Sequence, residues 1–166
     1  QIDSGLFDHM VVQRNARNLS AAAFSGRCAG DGPVQARVCR NGKPVSGFAG
    51  RVVGAAARGR MRGSIDGLPV GVPYEVTLRA GGQSLTVHDL LVGDVWLLGG
   101  QSNMQGCGLF PRKRPAAEPQ VRAFYMDDRW AVAKDPLHNM WACVDPVHID
   151  LAGGVRAGHD LKFWTP

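Results

Sequence analysis

No run of eighteen apolar residues occurs anywhere in the 166-residue chain, so it carries no sequence long and greasy enough for a membrane-spanning helix. Nor is there a charged n-region followed by an apolar h-region: the sequence opens at Gln1, no signal peptide is visible, and a start without methionine suggests a processed or partial chain. The four cysteines, Cys28, Cys39, Cys107 and Cys143, form no C-x-x-C pair. With His138 and His148 they match no standard zinc spacing, so no metal is expected. Cys28 and Cys39 are read either as a bridge between neighbouring strands or as two free buried thiols. Neither G-x-x-x-x-G-K-[ST] nor a G-x-G-x-x-G after a strand is present, which removes the usual nucleotide cradles, and no organic cofactor is expected. Lysine is also sparse. The net charge of +5 and the pI near 9.4 come mainly from arginines scattered along the chain. Their one dense cluster, Arg112–Lys113–Arg114, lies between prolines and reads as an exposed loop. Without aromatic interleaving or a binding module, nucleic acid is not an expected partner, and neither is a membrane.

What is present is globular in composition, with 45% hydrophobic residues. Across the first ninety residues no long helical period appears. Val34, Ala36 and Val38 alternate with polar residues, and Asn41–Gly42 follows as a hairpin turn. Tyr74, Val76 and Leu78 alternate in the same way before the Gly81–Gly82 turn. Short strands separated by turn residues predict a β-sandwich domain over residues 1–91. The glycine-rich stretch from Gly54 to Gly63 is expected to be a mobile loop or a poorly formed edge strand. After a boundary near His88–Gly93, residues 92–166 are expected to begin an α/β unit. Its first strand is placed at Asp94–Leu98 and its second around Val121–Tyr125, after a proline-rich connector.

The stretch richest in chemical meaning is DVWLLGGQSNM, Asp94 to Met104. Val95 to Leu98 form an apolar run expected of a strand covered on both faces. Gly99 and Gly100 permit a sharp turn, and Ser102 follows at the strand's C-terminal end, where open α/β sheets place their ligands. A serine so placed can act as a nucleophile beside backbone N–H groups. The nucleophile-elbow pattern G-x-S-x-G fails because Met104 occupies its last glycine position. On the pattern alone, a tight turn with a capping serine is the stronger reading.

The letters themselves carry more. GQSNM after a DVW strand resembles the first block of the SGNH-hydrolase esterases, specifically the sialate O-acetylesterase-like carbohydrate esterases. LFDHMVVQR (Leu6–Arg14) is similar to the opening of that family's N-terminal β-domain, with one residue missing, and GLPVGVPYEVTL (Gly67–Leu78) is similar to its PYE strand. VRAFYMDDRWAVAKDPLHNMW (Val121–Trp141) resembles a subgroup of the same enzymes. The resemblance implies a β-sandwich followed by the start of an incomplete α/β hydrolase domain of SGNH, flavodoxin-like type. It implies that Ser102 is the nucleophile and that its own N–H donates to the oxyanion. Gly100, Gln101 and Asn103 would support the oxyanion and the turn.

In that family a further glycine, an asparagine, and the aspartate and histidine of the triad come in later blocks, beyond Pro166. Two local D-P-x-H segments, Asp135 to His138 and Asp145 to His148, spell the last block's D-x-x-H. They follow the second strand directly, so the turn reading is preferred to a local triad. The expected function is therefore that of a fragment of a serine esterase removing O-acetyl groups from sialate or other acetylated glycans. An acetylated carbohydrate is its partner, no metal or organic cofactor is needed, and the fragment is inactive alone. Its relatives are often exported, which is the ground for expecting a secreted or periplasmic location. The rival readings are a non-catalytic carbohydrate-binding or scaffolding β-domain with a vestigial tail, and an interrupted product without function.

Overall fold

The computed structural model describes residues 1–100, 116–135, 137–139 and 142–147. It divides into two units, Gln1–Val95 and Trp96–Pro166. In the first, alternation of apolar and polar residues is realised as long strands. β1 (Ile2–Ser4), β2 (Val11–Gln13), β3 (Leu19–Arg27), β4 (Gly32–Arg40), β5 (Lys43–Ala57), β6 (Arg60–Pro69), β7 (Tyr74–Ala80) and β8 (Gln83–Gly93) form one eight-stranded sheet. Its order is β1-β3-β6-β5-β4-β7-β8-β2. Neighbours are antiparallel except β2, which runs parallel to β8 with Val11, Val12 and Gln13 opposite Leu91, Val92 and Gly93.

Three two-residue hairpins set the register. Asn41–Gly42, Arg58–Gly59 and Gly81–Gly82 all have positive φ at both positions, the left-handed pair that matches the twist of the flanking strands. The first and third are the turns the sequence marks; the second is not a glycine pair and escapes a simple pattern search. An Arg14–Ser20 bridge joins the end of β2 to β3, so the sheet curls back on itself. The apolar side chains of the strands fill the inside of this curl. Val34, Val38, Ile65, Leu68, Tyr74, Val76 and Leu90 are essentially inaccessible to solvent.

This architecture corrects the fold expected from the sequence in three places. The β-domain is a single curled mixed sheet, not a pair of facing sheets. The cause lies in β5, whose surplus residues against β4 make register shifts at Val34/Gln35, Ala36/Arg37 and Arg37/Cys39. Bulges of this kind bend a sheet and increase its twist. The glycine-rich stretch is likewise no loose edge: Gly54 pairs with Gly63 in the interior of the sheet, between β4 and β3.

Finally, the α/β start is not found. The ten named elements among the described residues are all strands, and Asp94–Leu98 is not among them. Val95, Trp96, Leu97 and Leu98 are instead 45%, 80%, 98% and 65% exposed. An apolar run becomes a strand only where a neighbouring strand takes up its N–H and C=O groups, and no described strand does so here. In the second unit, β9 (Arg122–Phe124) pairs antiparallel with β10 (Trp130–Val132) as an isolated hairpin, not as part of a parallel layer.

Cys28 and Cys39 are free and buried. β3 and β4, consecutive in sequence, are separated in the sheet by β6 and β5, which removes the cross-strand geometry a bridge would need.

One buried polar group carries a testable share of the stability. Ser20 is only 2% exposed, and its hydroxyl donates to Ile65 O at 2.9 Å while accepting from Leu68 N at 2.9 Å. It sits where the β3–β6 register slips between Leu19 and Ala21, so the side chain replaces a missing rung of the ladder. Ser20→Ala leaves a carbonyl and an N–H unpaired in the core and is expected to cost about 1–3 kcal/mol. Chemical denaturation checks this, and an unchanged midpoint would refute it.

Candidate active site

The segment leading to the serine block is held in place by the opening motif of the chain. Met10–Arg14 comprises β2 and one residue on either side of it, and the β2 backbone runs alongside the end of β8. Arg14 N donates to Gly93 O at 2.8 Å, which extends the ladder one residue further. Beyond the ladder, side chains take over. The Arg14 guanidinium grips Asp94 with two contacts, Nε to Oδ1 at 2.9 Å and Nη2 to Oδ2 at 3.1 Å. This planar fork on a carboxylate fixes orientation as well as distance. Arg14 Nη1 also donates to Asn18 Oδ1 at 2.5 Å, and Gln13 Oε1 accepts from Val95 N at 2.8 Å. Asp94 and Val95 are thus pinned by two residues some eighty positions earlier.

His9 belongs to the same apparatus. It has positive φ, donates its backbone N–H to His88 O at 3.0 Å, and places Nδ1 2.6 Å from Asp89 Oδ2. Asp8 Oδ1 accepts from His88 N at 2.7 Å. These contacts give His9 a turn and packing role in the β-unit. Arg14 and Gln13 are the residues sequence reasoning missed. Their partners Asp94 and Val95 are remote in the chain, and nothing in a single sequence marks a parallel pairing over that distance.

Past Val95 the chain continues through Trp96–Gly100, all exposed, and a Cβ on Gly99 would meet nothing within 4 Å. Of the expected site residues, Gly100 is described and exposed. Ser102, Gln101 and Asn103 lie outside the described residues, as does His148 of the second D-P-x-H segment.

Around the partly described segments the hairpin is well tied. The Tyr125 hydroxyl donates to Lys134 O at 2.9 Å and accepts from Lys134 N at 2.8 Å. The Phe124 and Trp130 rings lie 5.5 Å apart. The side-chain hydrogen bond to Asp127, reinforced by its charge, raises the pKa of the Arg129 guanidinium above its ordinary value. Asp145 Oδ1 accepts from Val147 N at 3.0 Å, so the aspartate itself caps the segment that follows it.

A separate shallow hollow of about 240 Å³ lies in the first unit, lined by Cys39, Asn41, Gly42, Pro73, Tyr74, Glu75, His88 and Asp89. It contains no serine. Among the described residues no group of three or more His, Cys, Asp or Glu could hold a metal ion, and no helix is long and apolar enough to cross a membrane.

Comparison with known proteins bears on the segment that the Arg14 clamp presents. Residues 92–160 match the family described as carbohydrate esterase, sialic acid-specific acetylesterase. The sialate O-acetylesterase of Rattus norvegicus is 51% identical over 45 residues, which cover 25% of this chain and 8% of the rat protein. A carbohydrate acetylesterase from Xanthomonas citri shares 30% identity over 63% of this chain and 22% of its own, with a TM-score of 0.45. The chain therefore spans less than a quarter of the length of either relative. Over residues 92–160, beginning where β8 ends, the sequence is similar to the sialate O-acetylesterase-like carbohydrate esterases.

Proposed function

We propose that this chain carries the nucleophile-bearing opening segment of a carbohydrate acetylesterase, with Ser102 as the attacking group. The family match over residues 92–160, which brackets the GQSNM block, carries the reading. In this mechanism Ser102 Oγ bonds to the acetyl carbon of a sugar ester as a histidine base takes its proton. The backbone N–H of Ser102 donates to the oxyanion, and Gly100, Gln101 and Asn103 hold the turn that aims it. The bond from acetyl carbon to sugar oxygen then breaks, and the histidine returns the proton to the departing alcohol. Water cleaves the acetyl-enzyme to acetate and restores the serine. No step calls for a metal or an organic cofactor.

The base and its aspartate belong to later family blocks, so the chain alone is proposed to be inactive or nearly so. A serine without its base is a poor nucleophile at neutral pH. Hydrolysis of p-nitrophenyl acetate by the chain and by Ser102→Ala is expected to run at similar, near-background rates. Turnover by the chain that disappears in Ser102→Ala would overturn the inactivity claim and revive Asp135/His138 or Asp145/His148 as a local triad.

One observation favours a second reading, a carbohydrate-binding module. The first unit has a filled core of its own, without any residue of the serine block. Glycan binding with no serine-dependent hydrolysis, even after the later blocks are supplied, would select that reading.

A further inference from the structure

The arginines that look scattered along the sequence are gathered by the sheet. Gln1–Val95 holds eleven Arg and Lys against seven Asp and Glu, and the register shows where they go. Arg60 and Arg62 lie on the outward face of β6, with Arg27 of β3 directly opposite Arg60. On the same face of the adjoining strands, Arg79 of β7 is opposite Gln35 of β4, and Arg37 of β4 is opposite Thr77. All five are exposed.

Arg27 alone has an ion-pair partner among the described residues, Asp3 at 3.3 Å. The two carboxylates on these outward strands are already engaged: Asp66 accepts from the Ser64 hydroxyl, and Glu75 faces His88. Arg37 and Arg79 are diagonal neighbours, roughly 7–8 Å apart at the backbone. Three strand spacings, about 14 Å, separate Arg79 from Arg62 across the sheet. The ground between them is low, formed by Ala55, Pro33 and Gln35. Like charges set opposite one another, as at Arg27 and Arg60, disfavour the sheet; Asp3 offsets Arg27 there, and the other four arginines have no ion-pair partner among the described residues.

We propose that this outward face of the β-unit is a docking surface for a carboxylated glycan chain. Arginine forks match carboxylates bidentately, and successive acidic sugars along a chain would meet the Arg37/Arg79 and Arg60/Arg62 groups in turn. The hydroxyls of Ser25, Thr77 and Thr86 on the same face suit sugar hydroxyls; Thr77 and Thr86 already share a 3.0 Å hydrogen bond.

Aromatics argue against the other polyanion. Phe24, Phe48 and Tyr74 are buried and Phe7 lies between β1 and β2, so the face has no platform on which bases could stack. The choice of glycan rests on the carbohydrate reading above, but the surface is separate from Ser102 and its test does not involve ester hydrolysis.

The test is binding of the full chain to polygalacturonate, with neutral dextran and duplex DNA as comparison arms. Binding to polygalacturonate that weakens steeply with added salt is expected, with none to dextran and less to DNA. Arg62→Gln combined with Arg79→Gln should weaken it roughly tenfold or more at low salt. Arg17→Gln combined with Lys134→Gln removes the same charge elsewhere and should change it little. No binding to polygalacturonate, equal losses in the two double variants, or tighter binding to DNA would each overturn the proposal. Loss of this binding would leave the serine assignment standing, and failure of the serine assignment would leave this binding to be measured.

Discussion

A chimera in which this chain replaces the matching segment of the rat sialate O-acetylesterase should hydrolyse an aryl acetate, and Ser102→Ala should lower its kcat/KM by about a thousandfold or more. The size follows from the unit character of a nucleophile and its base. Once the serine is gone, the base has nothing to activate, and only binding and backbone donors contribute. In the same chimera, Asp145→Asn should leave the rate near that of the parent, because this carboxylate caps its own turn. A soluble chimera whose turnover survives Ser102→Ala would end the assignment. Loss of turnover in the Asp145 variant would move the triad into this chain.

Gly54→Ala should destabilise the β-unit by about 4 kcal/mol or more, a size reached when a substitution forces buried backbone apart. A Cβ at this position would lie 2.0 Å from Arg62 O and 2.6 Å from Gly63 Cα, and neither atom can swing away as the end of a side chain could. β5 and β6 would have to separate in the interior of the sheet, where Gly54 and Gly63 form one of its rungs. Gly42→Ala provides the contrast. Its φ is +73°, yet a Cβ there meets nothing within 4 Å. Strain in the left-handed region alone is expected to cost about 1–2 kcal/mol. Thermal or denaturant unfolding of the two variants measures the difference, and equal midpoints would show that the close approach at Gly54 is not as tight as it stands.

Much of the β-unit was legible because strand alternation and turn chemistry act over a few residues. Val34, Ala36 and Val38, then Tyr74, Val76 and Leu78, face inward as their spacing requires, and Asn41–Gly42 turns where expected. The glycines were misread for a physical reason. In a sequence, glycine marks equally a loop, a bulge or a close approach of two backbones, and only the neighbour decides which. Gly47 and Gly50 lie within β5, each with positive φ, whereas Gly54 sits against Gly63. The apolar run Val95–Leu98 was misread by the same logic, since hydrophobicity states a need for cover without supplying it.

Local chemistry in the chain was enough to establish a strand-rich first unit, its principal turns and a similarity to carbohydrate esterases over residues 92–160, because each is written in adjacent residues. Contacts between remote residues established the rest. The curl of a single sheet, the Arg14 grip on Asp94 and the gathering of arginines onto one face all depend on strand order, and strand order is set by which distant backbones share hydrogen bonds.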